Sequence, residues 1–195
     1  MASKASCFRE IIQSSFQRGF RLSLSLLLQE GKLGIGHWNN VCDLLIQAVN
    51  KVGSNLSECV LVGFNFGGSI AAYFAMKHSV AGLIAAGSIP RLSEFWTKSV
   101  HDIAVAARLD SSSIDKQFSQ LTRQLDLTES ISKLKIPLLL KFGTSDDWLD
   151  PHQIDEINVQ RSINITVACY LDDHEMLSTV SAADRFAFIR RLKES

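Results

Sequence analysis

The chain has 195 residues, 46% of them apolar and 21% charged, with Lys plus Arg and Asp plus Glu equal at 20 each. That length suits one domain, residues 1–195, able to bury roughly 70% of the surface its unfolded form exposes, and the composition is globular rather than disordered. With no net charge and no basic stripe, nothing calls for nucleic acid. The four scattered cysteines, Cys7, Cys42, Cys59 and Cys169, form no C-x-x-C pair and read as reduced thiols of a cytoplasmic protein.

Residues 1–28 are richer in Arg, Lys and Ser than in acids, which is also the composition of an organelle transit peptide and keeps an organelle open as the alternative location. A folded start accounts for more of the same residues. Phe8, Ile11, Ile12 and Phe16 fall on one face of a short helix that stops before Gly19. Phe20 to Leu28 alternates and then becomes continuously apolar, the pattern of a strand with one face more buried than the other. Gly31, Gly34 and Gly36 mark a turn, because no acidic ribose ligand follows at dinucleotide-binding spacing. From Trp38, the residues Val41, Leu45, Ala48, Val49 and Val52 trace a helical stripe that closes at Gly53.

Cys59 to Gly63 is a buried strand, followed by Phe64-Asn65-Phe66-Gly67-Gly68 and a helix-compatible run from Ser69 to His78. The uncharged stretch Cys59 to Met76 is about the minimum length for a membrane span, but Asn65 and the Gly67-Gly68 pair at its middle fit a sharp strand-to-helix turn better, so no span is expected. Ala81 to Ala86 is a second short buried strand, ending at Gly87-Ser88-Ile89-Pro90. Residues 91–131 are less regular, with helical fragments near Glu94 to Leu109 and Ile114 to Leu125; carrying Phe95, Trp96 and Phe118, they suit a small lid-like insertion or an ordinary helical layer. Ile136 to Phe142 resumes the sheet and runs into Gly143-Thr144-Ser145-Asp146-Asp147-Trp148. A helix from Pro151 to about Arg161, a strand Ile165 to Leu171, a loop Asp172 to Met176 and a helix near Val180 to Leu192 complete the order. Alternating helices and apolar strands predict an α/β fold with a doubly wound, mostly parallel open sheet in three αβα layers.

Three features stand in one order: a tight turn after a strand, an acid after a later strand, and a histidine after the last strand. The chain resembles the α/β-hydrolase fold superfamily of serine esterases and acyl hydrolases over nearly its whole length. Gly63-Phe64-Asn65-Phe66-Gly67-Gly68 matches the family's nucleophile elbow except for Asn at the nucleophile position. Gly143-Thr144-Ser145-Asp146 matches its G-x-x-D acid turn, with Asp147 as the adjacent rival, and His174 matches its histidine. The resemblance assigns Asn65, Asp146 and His174 to the catalytic positions and the backbone N–H of Phe66 to the oxyanion site. It also implies that this chain lacks the family's first strands and the loop that supplies the second oxyanion donor.

A carboxamide is not a nucleophile that imidazole can activate as it activates a serine hydroxyl, so the resemblance implies a catalytically impaired relative, a pseudoenzyme. Two alternatives stay open: a hydrolase or lyase in which an Asp146–His174 dyad acts as general base without a serine, and a binding or scaffold protein. A small acyl or ester ligand and a protein partner are both compatible with the site. No cofactor is implied, and no metal, since His37, His78, His101 and His152 have no partners at metal-ligand spacing.

Overall fold

The structure, a computed structural model, describes residues 36–51, 55–95, 123–160 and 163–194. The expected helix at 8–16, the strand at 20–28, the Gly31–Gly34 turn, the close of the next helix at Gly53 and most of the insertion lie outside the described residues. Helix α1 spans Gly36–Lys51, strand β1 Val60–Phe64, α2 Phe66–Ala75 and β2 Gly82–Ala86. They are followed by α3 Leu127–Ile131, β3 Leu138–Gly143, α4 Pro151–Gln160, β4 Ile165–Tyr170 and α5 Thr179–Glu194. The four strands form one sheet in the order β1-β2-β3-β4. All three pairings are parallel, running Val60 to Phe64 beside Gly82 to Ala86, Leu83 to Ala86 beside Leu138 to Lys141, and Leu138 to Gly143 beside Ile165 to Tyr170.

Parallel strands joined through helices must bury both faces, which is why β2 and β3 are buried at every position and read as unbroken runs. On one face Leu61, Leu83, Leu138, Leu140 and Phe142 meet Ile70, Phe74, Ile131 and Ile157 from α2, α3 and α4, with Cys42 and Leu45 of α1 beside them. On the other, Val60, Ile84 and Leu139 meet Phe188, Ile189 and Leu192 of α5. The observed layering is therefore αβα.

Differences from the sequence reading are local. Gly36, read as part of a turn, begins α1. Helix α2 starts at Phe66 rather than Ser69. Gly68, poor for helix propensity, is required by close approach, since a Cβ there would stand 2.0 Å from Ser88 Oγ, and Gly63 is required likewise, since a Cβ there would stand 2.2 Å from the Gly67 carbonyl oxygen. Helix α3 was not legible, because it is five residues long and too short for a periodic signal. Beside it the buried Asp126 carboxylate accepts from the Ser93 N–H at 2.7 Å and from Ser93 Oγ at 2.5 Å. Burial pushes this carboxyl above the ordinary range, with the Ser93 hydrogen bonds opposing. Among the described residues no helix is long and apolar enough to cross a membrane.

Candidate functional site

The elbow is built from the close packing of β1, β2 and α2. Asn65 alone separates the last residue of β1 from the first of α2, so the chain must reverse within one residue, and it does so at φ 51°, ψ −125°. Three hydrogen bonds lock that conformation. The Asn65 N–H donates to the Ala86 carbonyl at 2.9 Å, and the Asn65 carbonyl accepts from the Gly68 N–H at 3.2 Å and from Ser88 Oγ at 2.6 Å. Ser88 is 1% exposed; its hydroxyl proton is committed to the elbow carbonyl, and it fixes the turn rather than offering a nucleophile. The Asn65 side chain makes no cap hydrogen bond, and its Oδ1 is buried without a partner among the described residues. Phe66 is the first residue of α2 and is buried, so its N–H belongs to the turn of helix that the chain's reversal aims at the elbow.

The acid sits where β3 ends. Asp146 Oδ1 accepts from the Trp148 N–H at 2.9 Å, which makes it a turn cap, and Oδ2 lies 2.8 Å from His174 Nδ1. One carboxylate oxygen thus serves the turn and the other the histidine. The two side chains are 3% and 15% exposed respectively, whereas the rival Asp147 is exposed and it is Asp146 that meets His174. With the carboxylate on Nδ1, the proton resides there and the Nε2 lone pair is left as the basic atom.

The histidine loop is closed by its own acids. Asp172 Oδ2 accepts from the Ser178 N–H and Asp173 Oδ1 from the Glu175 N–H, each at 3.0 Å. Burial raises the Asp172 carboxyl, but the hydrogen bonds from Ser178 and Asp173 and the nearby Arg185 charge together outweigh it and hold the group below the ordinary carboxylate range. The acid turn is zipped to the same loop, Thr144 N–H to the Tyr170 carbonyl at 2.8 Å and Ser145 N–H to the Asp172 carbonyl at 3.0 Å. Elbow and histidine loop then converge on Gly87. A Cβ there would stand 2.2 Å from the His174 carbonyl oxygen and 3.1 Å from Asn65 Oδ1, and the residue's φ of +60° also favours glycine. The structure thus brings Asn65, Phe66, Asp146 and His174 to the carboxyl ends of neighbouring strands, the edge at which open α/β sheets take their ligands.

Four residues that shape the site were given no part in it by the sequence. The Trp148 ring lies against His174 at 4.4 Å between centroids, and Phe95 stacks on Trp148 at 5.5 Å, an aromatic wall whose only signal was a tryptophan two places after the acid. Ser88 and the left-handed Met176, with φ 54°, carried no signal, because each depends on loops meeting in space. A groove of about 500 Å³ lined by Tyr73, Met76, Arg123, Glu129 and Lys133 shares none of these residues. Among the described residues no group of three His, Cys, Asp or Glu could hold a metal ion.

No protein-family model and no curated protein matches the chain. Solved structures match it by fold. A variant of the meta-cleavage product hydrolase CumD superposes with a TM-score of 0.53 and 12% identity, covering 81% of this chain and 72% of that one. An esterase from Pyrococcus furiosus gives 0.56 and 14% identity over 81% of this chain and 61% of its own length. The Paleococcus ferrophilus monoacylglycerol lipase gives 0.54 and 14% over 80% and 74%. At such identities the likeness is one of fold, and the chain spans roughly three fifths to three quarters of these enzymes' lengths.

Proposed function

We propose that this chain, which has the α/β-hydrolase fold, is a relative of the serine esterases and acyl hydrolases whose ester-hydrolase chemistry is impaired at the nucleophile. The observation that carries the reading is Asn65 itself, held at φ 51° between β1 and α2, where the fold's nucleophile would project. A carboxamide there cannot form the acyl intermediate, since its nitrogen lone pair is delocalised and imidazole cannot activate it. The groups that would serve a nucleophile remain as a pair, with His174 Nδ1 on Asp146 Oδ2 at 2.8 Å. The Phe66 N–H, next after the elbow residue, is assigned the oxyanion.

The same pair favours a second reading, in which His174, oriented by Asp146, acts as general base on a bound water or substrate without any serine. One experiment separates the two. Hydrolysis of a short-chain p-nitrophenyl ester is measured for the parent, His174→Ala, Asn65→Ser, and Asn65→Ser with His174→Ala, with a fluorophosphonate probe for activated serines run alongside. The impaired reading expects no turnover and no labelling in the parent. It expects a trace of activity and labelling at position 65 in Asn65→Ser, lost with His174→Ala. The gain stays small because one oxyanion donor is assigned among the described residues, and a missing donor costs roughly 100- to 1,000-fold. Turnover by the parent that disappears on His174→Ala would overturn impairment in favour of the dyad acting directly.

A further inference from the structure

We propose that Arg185 is a positioning residue that fixes the histidine loop against the elbow strand; the proposal rests on the dyad reading above. Arg185 lies on α5, outside every motif legible in the sequence. Its Nη1 donates to the Met176 carbonyl at 3.1 Å and to Ser181 Oγ at 2.9 Å, and its guanidinium carbon stands 5.0 Å from the centre of the Phe64 ring. Phe64 is the last residue of β1, immediately before Asn65, and Met176 is two residues after His174. One half-buried side chain therefore touches two of the three segments that carry site residues, the elbow strand and the histidine loop.

Met176 is where such a restraint is needed. It is fully buried and left-handed at φ 54°, a conformation that costs a non-glycine residue free energy and persists only where surrounding contacts determine it. The backbone at Gly87 comes close to the His174 carbonyl oxygen, and Arg185 holds the loop at the Met176 carbonyl. The base from which Arg185 reaches is itself fixed to the sheet: Lys141 Nζ donates to the Ser181 carbonyl, and Tyr170 OH donates to Asp184. Nη1 of a guanidinium carries two N–H groups, one for each acceptor, and the cation faces the Phe64 ring at cation–π distance. Without it the Met176 carbonyl loses this donor, the left-handed turn can relax, and the imidazole is released from Asp146.

The test is proton NMR of the full chain at low temperature, observing the downfield Nδ1 proton of His174, assigned by its disappearance in His174→Asn. A proton held between side chains 15% and 3% exposed exchanges slowly enough to be seen. The signal is expected in the parent, retained in Arg185→Lys, which keeps a donor for the Met176 carbonyl, and lost in Arg185→Met while circular dichroism shows the fold intact. If Arg185→Met does not fold, Arg185→Gln is read in its place and is expected to weaken the signal at least twofold. An undiminished signal in a folded Arg185→Met, or in Arg185→Gln, overturns the positioning role and leaves the dyad standing. Absence of the signal from the parent overturns the dyad and this proposal with it.

Discussion

Asn65 combines φ 51° with ψ −125°, outside the left-handed well near ψ +45° in which asparagine is tolerated. Asparagine's tolerance of positive φ therefore explains only half of the geometry. The remainder is strain, held by the Ala86, Gly68 and Ser88 hydrogen bonds and accompanied by an Oδ1 that has no partner among the described residues. A sparsely populated backbone conformation costs about 1–3 kcal/mol, and a buried acceptor without a donor costs about as much again. Asn65→Gly removes both penalties and adds about 0.5–1 kcal/mol of chain entropy to be lost on folding. We expect the variant to be stabilised by at least about 1 kcal/mol in urea unfolding, a trade of site for stability of the kind functional positions show. A variant less stable than the parent would mean that the carboxamide makes favourable contacts that outweigh the strain.

At the level of elements, β3 contains the one residue its apolar pattern does not explain. Lys141 is 0% exposed, donates to the Ser181 carbonyl at the start of α5 and lies 4.3 Å over the Tyr170 ring. Burial pulls its ammonium from 10.5 down to about 8; Arg185 adds to the shift, and Asp184 and Asp172 oppose it. Between those values the unfolded chain binds a proton that the folded chain has released, so the lysine makes stability rise with pH across that window and leaves it flat below. Buried Cys42, pushed up to about 11 by desolvation, acts in the opposite sense, as do Cys59, Cys169 and Tyr170, all raised chiefly by burial. In each of these the folded chain keeps a proton the unfolded chain loses. Subtracting Lys141→Met from the parent removes their common contribution. The parent's stability relative to Lys141→Met should increase from about pH 8 to about pH 10, measured by urea unfolding at each pH; a constant difference would show that the folded chain holds this lysine charged. The lysine itself was visible in the sequence, but its role was not, because the partner that makes it tolerable lies 40 residues further on.

For the whole molecule, what the sequence made legible was whatever repeats locally. The unbroken apolar runs of β2 and β3, the order of helices and strands, and the residue types at strand ends were enough to place Asn65, Asp146 and His174 near one edge of a parallel sheet. What escaped depends on separate segments meeting: Ser88 on the elbow carbonyl, Trp148 on the imidazole, Arg185 between two loops. The edge of the sheet beside β1 belongs to the same class of question. The Asn65 N–H donates to Ala86 and the Cys59 carbonyl accepts from Ala81, so the backbone groups of residues 59, 61, 63 and 65 face β2. Those of Val60, Val62 and Phe64, alternating with them, face the other way. Val60 is buried and Val62 is partly so, and buried amides without partners are rare because each costs the free energy of a lost hydrogen bond. A further strand against β1 would meet that requirement, and the sequence offers Phe20 to Leu28 as a candidate. We expect the Val60 and Val62 amides to exchange with deuterium as slowly as those of Leu61 and Gly63, at a rate independent of protein concentration if the covering strand belongs to the same chain. Protection that grows with concentration would assign the covering strand to a second molecule. Fast exchange at Val62 beside slow exchange at Gly63 would show an open edge next to the elbow, and would count against a further strand on that side of Asn65.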